Sequence, residues 1–77
     1  MQQRFLIEFI NENFEPIKNI NFQHTDYGLK QKFSRLYFFV TQQQFYEAML
    51  IAGFKSKEKV KGYMSFNISQ KSRYFSL

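Results

Sequence analysis

The sequence predicts a small single-domain α+β fold, with about three helices and a short antiparallel sheet, covering residues 1–77. Three observations carry that expectation. A chain of 77 residues supports one hydrophobic core and no more. Apolar residues recur at helical spacing in three separate stretches, and the run YMSFNIS alternates apolar and polar residues as a half-buried strand does. Eleven Phe and five Tyr supply the core of a chain that has no Cys to cross-link it. Each buried ring removes roughly 150–250 Å² from water, so a few of them hold a short fold together.

Over residues 3–14 the steps Leu6 to Ile10 and Phe5 to Phe9 match i, i+4 spacing, which predicts a helix ending before Pro16. Phe5, Ile7 and Phe9 also alternate, so a strand competes, but the continuation from Asn11 to Phe14 favours the helix. IKNINFQH, residues 17–24, places Ile20, Phe22 and His24 at period two and reads as a short extended segment or a loop. In TDYGLKQKFSRLY, Thr25 or Asp26 caps a second helix whose apolar positions are Leu29, Phe33 and Leu36.

Tyr37 to Val40, YFFV, is a short β-favouring run. The third helix, residues 42–52, carries the sharpest local signal. Thr41 with Gln44 forms a capping-box pattern, Phe45, Ala48, Met49 and Ala52 make an apolar stripe, and Gly53 followed by Phe54 fits a left-handed C-terminal cap. KSKEKVKG then reads as a lysine-rich loop, residues 63–69 as a strand, and the tail QKSRYFSL either as a last strand or as a segment lying across the surface.

The net charge of +5 is unevenly distributed. Residues 1–29 carry Arg4 and Lys18 against Glu8, Glu12, Glu15 and Asp26, a net of −2. Residues 30–77 carry nine Lys or Arg against Glu47 and Glu58, a net of +7. Such segregation points to a face that meets a polyanion, with solubility as the plainer explanation of the lysines.

Catalytic signatures are missing. His24 is the single His, no G-x-S-x-G turn surrounds a Ser, and Glu8, Glu12 and Glu15 are spaced along an exposed helical face. Neither G-x-x-x-x-G-K-[ST] nor G-x-G-x-x-G occurs. The expectation is a binding protein with no catalytic residue, no metal site and no cofactor. Glu8 interrupts the apolar start, so no signal peptide or membrane span is expected, and the cytoplasm is the expected compartment.

The ordering of a helix from Asp26, the capped helix from Gln42, a basic loop and an alternating strand resembles a winged helix, a helix-turn-helix variant. The β run before the capped helix departs from that pattern, which has a tight turn there. The resemblance implies that the capped helix lies in the major groove and the following loop touches the backbone, making DNA, ahead of RNA, the partner. It would make Thr41, Gln42, Gln43, Tyr46 and Glu47 the outward face of the recognition helix, Gln being suited to adenine, and Lys55, Lys57, Lys59 and Lys61 the wing. Lys30, Lys32, Arg35, Lys71 and Arg73 complete the candidate nucleic-acid-binding set by charge. Tyr63 and Tyr74 are candidates for base stacking, against a core or edge-strand role.

The stretches LKQKF, FFVTQQQFYEAMLIAGF and FNISQKS are also similar to small uncharacterised proteins of bacterial phages and integrative mobile elements. That likeness implies a transcription regulator, a replication accessory, or an inhibitor of a host protein. For the last of these, Tyr46, Leu50 and Ile51 are the candidate contacts. A homodimer is a further expectation, because 16 aromatic residues exceed what one small core hides.

Overall fold

A computed structural model describes residues 2–77. Helix α1 (Gln2–Asn13) buries Leu6, Phe9, Ile10 and Asn13, positions three and four apart on one face, and turns Arg4, Glu8 and Glu12 to water. The helical spacing therefore prevails over the strand alternation. Asn13 donates to the Phe9 carbonyl at 2.8 Å and the Phe14 N–H to the Ile10 carbonyl at 2.9 Å, after which Pro16 cannot continue the ladder. The extended segment that follows is a true strand, β1 (Pro16–Asn21), paired antiparallel with β3 as an edge strand, where proline's missing N–H is harmless.

Helix α2 (Asp26–Leu36) is capped by Thr25, whose hydroxyl accepts from the Gly28 N–H at 3.4 Å. It buries Leu29 and Phe33 as expected, but Leu36 is exposed because the helix ends there and the chain turns away. Residues 37–40 form no strand. They link α2 to α3 irregularly, with Phe38 packed on Phe33, Val40 buried, and the Val40 N–H donating to the Ser34 hydroxyl at 3.2 Å. Of the YFFV run only Phe38 and Val40 turn toward the core, which takes them without any strand pairing, while Tyr37 and Phe39 stay exposed.

Helix α3 (Gln42–Ile51) has both halves of the capping box: Thr41 Oγ1 accepts from the Gln44 N–H at 3.0 Å, and Gln44 Oε1 accepts from the Thr41 N–H at 2.9 Å. At the other end the Phe54 N–H donates to the Met49 carbonyl and the Gly53 N–H to the Leu50 carbonyl, the two bonds of a Schellman motif. Gly53 takes φ 101°, and Phe54 folds back into the core.

The lysine-rich stretch expected as a loop is mostly strand β2 (Ser56–Val60), joined to β3 (Tyr63–Ile68) by a tight turn in which Gly62 has φ 87°. Its composition looks like a loop because β2 is an exposed edge, and lysines suit an edge strand. The sheet order is β1-β3-β2, so β3 is central, and from Ser65 to Ile68 successive residues are all buried, so the expected alternation fails there. Besides Phe66 and Ile68, Ser65 and Asn67 are buried. Ser65 donates to the His24 carbonyl at 2.7 Å. Asn67 spans its neighbours, accepting from the Lys55 N–H at 2.7 Å and donating to the Ile17 carbonyl at 2.9 Å.

The tail pairs as no strand; it runs over the surface, with Gln70, Lys71, Arg73, Ser76 and Leu77 exposed, but is anchored inward at Ser72 and Tyr74. It ends in a 3-10 turn, η1 (Arg73–Ser76), that drives Tyr74 into the core, 1% exposed and stacked on Phe14 at 4.5 Å. The Ser69 N–H donates to the Glu15 carbonyl at 2.7 Å and the Glu15 N–H to the Ser72 hydroxyl at 2.8 Å, closing the tail onto the α1–β1 junction. The three helices, β3 and Tyr74 thus share one core, rich in edge-to-face ring pairs such as Phe9 with Phe33 at 5.1 Å.

Candidate nucleic-acid interface

Three separate pieces of chain meet at the start of α3. Asp26 is 3% exposed, and its Oδ1 accepts from its neighbour's N–H on Tyr27 (2.8 Å), from Gln42 Nε2 (3.0 Å) and from the Met64 N–H (3.2 Å). Three donors satisfy a buried carboxylate that makes no salt bridge among the described residues. Gln42 Nε2 also donates to the Gly62 carbonyl at 2.9 Å, so one amide holds the hairpin turn to the first turns of α2 and α3. Between them lies a cleft lined by Asp26, Thr41, Gln42, Gln43, Tyr46, Gly62 and Met64.

The hairpin beside this cleft is basic, although its lysines form no part of the cleft wall. Lys55, Lys57, Lys59 and Lys61 are all exposed. Ser56 faces α3, its Oγ 3.5 Å from the Tyr46 hydroxyl, which turns the adjacent Lys55 and Lys57 to the opposite face of the strand. Among the described residues the one salt bridge joins Arg4 and Glu8 on α1 at 3.6 Å, so none of the four hairpin lysines is ion-paired. Glu58, the acidic residue in their midst, instead accepts from the Gly62 N–H at 2.9 Å.

The helical side keeps part of the expected outward face, with Thr41, Gln43 and Glu47 exposed. Thr41 is engaged in its cap, Gln42 is half-buried in the Asp26 bridge, and Tyr46 is half-buried against Phe66 at 6.1 Å. Gln43 and Glu47 remain exposed, joined by a 2.9 Å hydrogen bond, with Leu50 and Ile51 exposed beyond them. No cation lies on α3.

The other candidates are scattered. Lys30 is buried, with Nζ 5.3 Å from the Tyr27 ring centre and 5.1 Å from that of Phe39. Lys32 is half-buried, donates to the Tyr74 carbonyl at 2.9 Å and lies over the Tyr74 ring. Arg35 is exposed in the last turn of α2, and Lys71 is exposed in the turn after β3. Arg73 is exposed beside Phe5, Glu8, Glu12 and Tyr37, away from the hairpin. Tyr74 is a core residue whose hydroxyl donates to the Leu29 carbonyl, and burial pushes its phenol well above the ordinary range.

Two features of the site escape sequence reasoning. Asp26 reads as a capping residue but works across the fold, a role that depends on Met64, 38 residues away. Tyr27 and Phe39, both exposed, join Tyr63 and Lys30 in a row: Tyr27 meets Tyr63 edge to face at 6.0 Å, and Lys30 lies between Tyr27 and Phe39. The i, i+3 spacing of Tyr27 and Lys30 on α2 is the one local signal for that row.

Among the described residues no helix is long and apolar enough to cross a membrane. Compared with known protein families, curated proteins and solved structures, the chain has no match in any of the three.

Proposed function

We propose that this domain binds nucleic acid, DNA in particular, and catalyses no reaction on it. The observation that carries this reading is the hairpin: four exposed lysines without an ion-pair partner, on a β2–β3 unit fixed by Gln42 to the capped end of α3. Clustered, uncompensated cations held on a rigid element are the electrostatic footprint of a phosphate-binding surface. The element order supports the winged-helix resemblance. An irregular link joins α2 to α3 in place of a strand, and a β hairpin follows the capped helix. In this reading β2–β3 is the wing, and the hairpin carries more of the contact than α3, whose exposed face holds Gln43 and Glu47 and no cation.

A salt titration tests it. With four phosphates neutralised, the logarithm of affinity for a DNA duplex falls against log salt with a slope of about −3.6, or about −2.8 on a single strand. No binding to single- or double-stranded DNA or RNA at about 50 mM salt removes the reading.

A protein partner is the second reading, favoured by the last turn of α3, where Leu50 and Ile51 are 40% and 59% exposed. Retention of one specific protein after nuclease treatment, lost with Ile51→Ser, is its test.

A further inference from the structure

We infer that the nucleic acid this domain takes contains unpaired bases, which stack on the exposed aromatic row Phe39, Tyr27 and Tyr63 while the hairpin lysines hold the backbone. The inference rests on the proposed nucleic-acid reading and specifies the state of its ligand.

Two sets of observations lead to it. The first is what α3 lacks. A helix that reads base edges needs free amides or guanidinium groups, yet the Gln42 amide bridges Asp26 and Gly62 and the Gln43 amide is bonded to Glu47. The remaining exposed surface of α3 is Gln44, whose Oε1 is held in the capping box, the Glu47 carboxylate, and apolar Leu50 and Ile51, so duplex phosphates would meet negative charge and apolar area.

The second is what lies next to it. Phe39 is 70% exposed, the most open of the large apolar side chains among the described residues, although it sits in a link held at Val40 by Ser34. A ring that exposed contributes little to the core. Lys30 Nζ lies 5.1 Å from its ring centre and 5.3 Å from that of Tyr27, and Tyr27 meets Tyr63 edge to face at 6.0 Å, so the three rings are linked in series, Phe39 to Tyr27 through the Lys30 ammonium and Tyr27 to Tyr63 directly. The strip adjoins the cleft at α3 in sequence, the cleft-wall residues Asp26 and Gly62 directly preceding Tyr27 and Tyr63. Lys61 stands two residues before Tyr63 at the hairpin turn. Aromatic faces beside a lysine-bearing strand suit a single strand, since every base has a π-face and the backbone alongside it is anionic. In a duplex those faces are covered by neighbouring bases, so the strip would find nothing to stack on.

The experiment compares a single-stranded oligonucleotide of about 15 nucleotides with a blunt duplex of about the same length, by fluorescence anisotropy with the full chain. Binding should be at least about 10-fold tighter to the single strand. The double variant Phe39→Leu, Tyr63→Leu keeps apolar bulk but removes two flat faces. It should weaken single-strand binding by about 10-fold or more while duplex binding stays within about twofold. Phe39→Trp should match or exceed the unmodified chain on the single strand. Equal or tighter binding of the duplex, or single-strand affinity indifferent to the leucine variant, overturns the inference. In both cases lysine-dependent binding would leave the parent reading standing. Absence of binding to either probe overturns both, as would capture of a protein through Phe39 by a chain that binds no nucleic acid.

Discussion

The side-chain amide of Gln42 lies 3.0 Å from the carboxylate of Asp26, and this pair sets the hairpin against α3. The same amide reaches the Gly62 carbonyl and the same carboxylate receives the Met64 N–H, so the two ends of the Tyr63 turn region are tied to two helix starts by a pair of side chains. A basic hairpin on a loose tether would lose entropy on meeting a ligand. One tied in this way meets it already in place.

Asp26→Ala should therefore destabilise the domain by about 2 kcal/mol, because it strands the Met64 N–H in a part-buried site and leaves the Gln42 amide only its bond to the Gly62 carbonyl. Asp26→Asn keeps an oxygen toward the same donors and should cost about 1 kcal/mol. Urea denaturation measures both. Gln42→Ala should leave Asp26 its two backbone donors, lower stability by about 1 kcal/mol, and speed amide exchange selectively in residues 58–64.

Tyr74 gives the fold an alkaline limit. Burial favours the neutral phenol, so the folded chain holds this proton more tightly than the unfolded chain does. The contribution to stability is whole below the ordinary phenol range, about pH 10, and is lost as the pH climbs toward the raised folded value. Thermal melts should show stability level to about pH 9.5 and falling beyond it. Tyr74→Phe should flatten that fall while costing about 1 kcal/mol at neutral pH, the worth of the hydrogen bond to the Leu29 carbonyl.

Which parts of the fold were legible in the sequence follows from the range of the interactions that specify them. Helix α3 could be read nearly to the residue because Thr41, Gln44 and Gly53 act within a few positions of themselves. Strand β2 could not, because its lysines carry no strand pattern and its conformation is set by register with β3, Lys57 opposite Ser65. YFFV has strand composition, yet β1 and β2 already fill both edges of β3, so Phe38 and Val40 go to the core instead. The fate of the cations divides in the same way. Those of the hairpin stay exposed as their local polarity suggests, whereas Lys30 and Lys32 are also drawn onto the rings of Phe39 and Tyr74, which only folding brings near.

Removal of either cap of α3 should cost stability without touching the hairpin. Thr41→Ala loses one half of the capping box, about 1 kcal/mol. Gly53→Ala places a Cβ in open space, so its cost is the backbone conformation alone, about 1–2 kcal/mol at φ 101°. Chemical denaturation of both variants should give these losses with an unchanged slope against denaturant, since neither alters the surface buried on folding.

Lys57→Ala, Lys59→Ala, Lys61→Ala together separate the hairpin's charge from its structure. All three side chains are exposed and none is ion-paired, so the triple variant should keep its stability within about 0.5 kcal/mol. Nucleic-acid affinity should fall by a similar factor for every sequence tested, since phosphate contacts carry no base information. The slope of log affinity against log salt should become shallower by about 2.7 on duplex or about 2.1 on a single strand, three phosphate contacts fewer. Arg35→Ala and Arg73→Ala serve as the control, because they remove charge of the same sign from elsewhere on the molecule. If the arginine pair lowered affinity and the salt slope as much as the lysine set, net charge would be responsible and the hairpin would have no special part. A loss confined to the lysine variant assigns the contact to β2–β3.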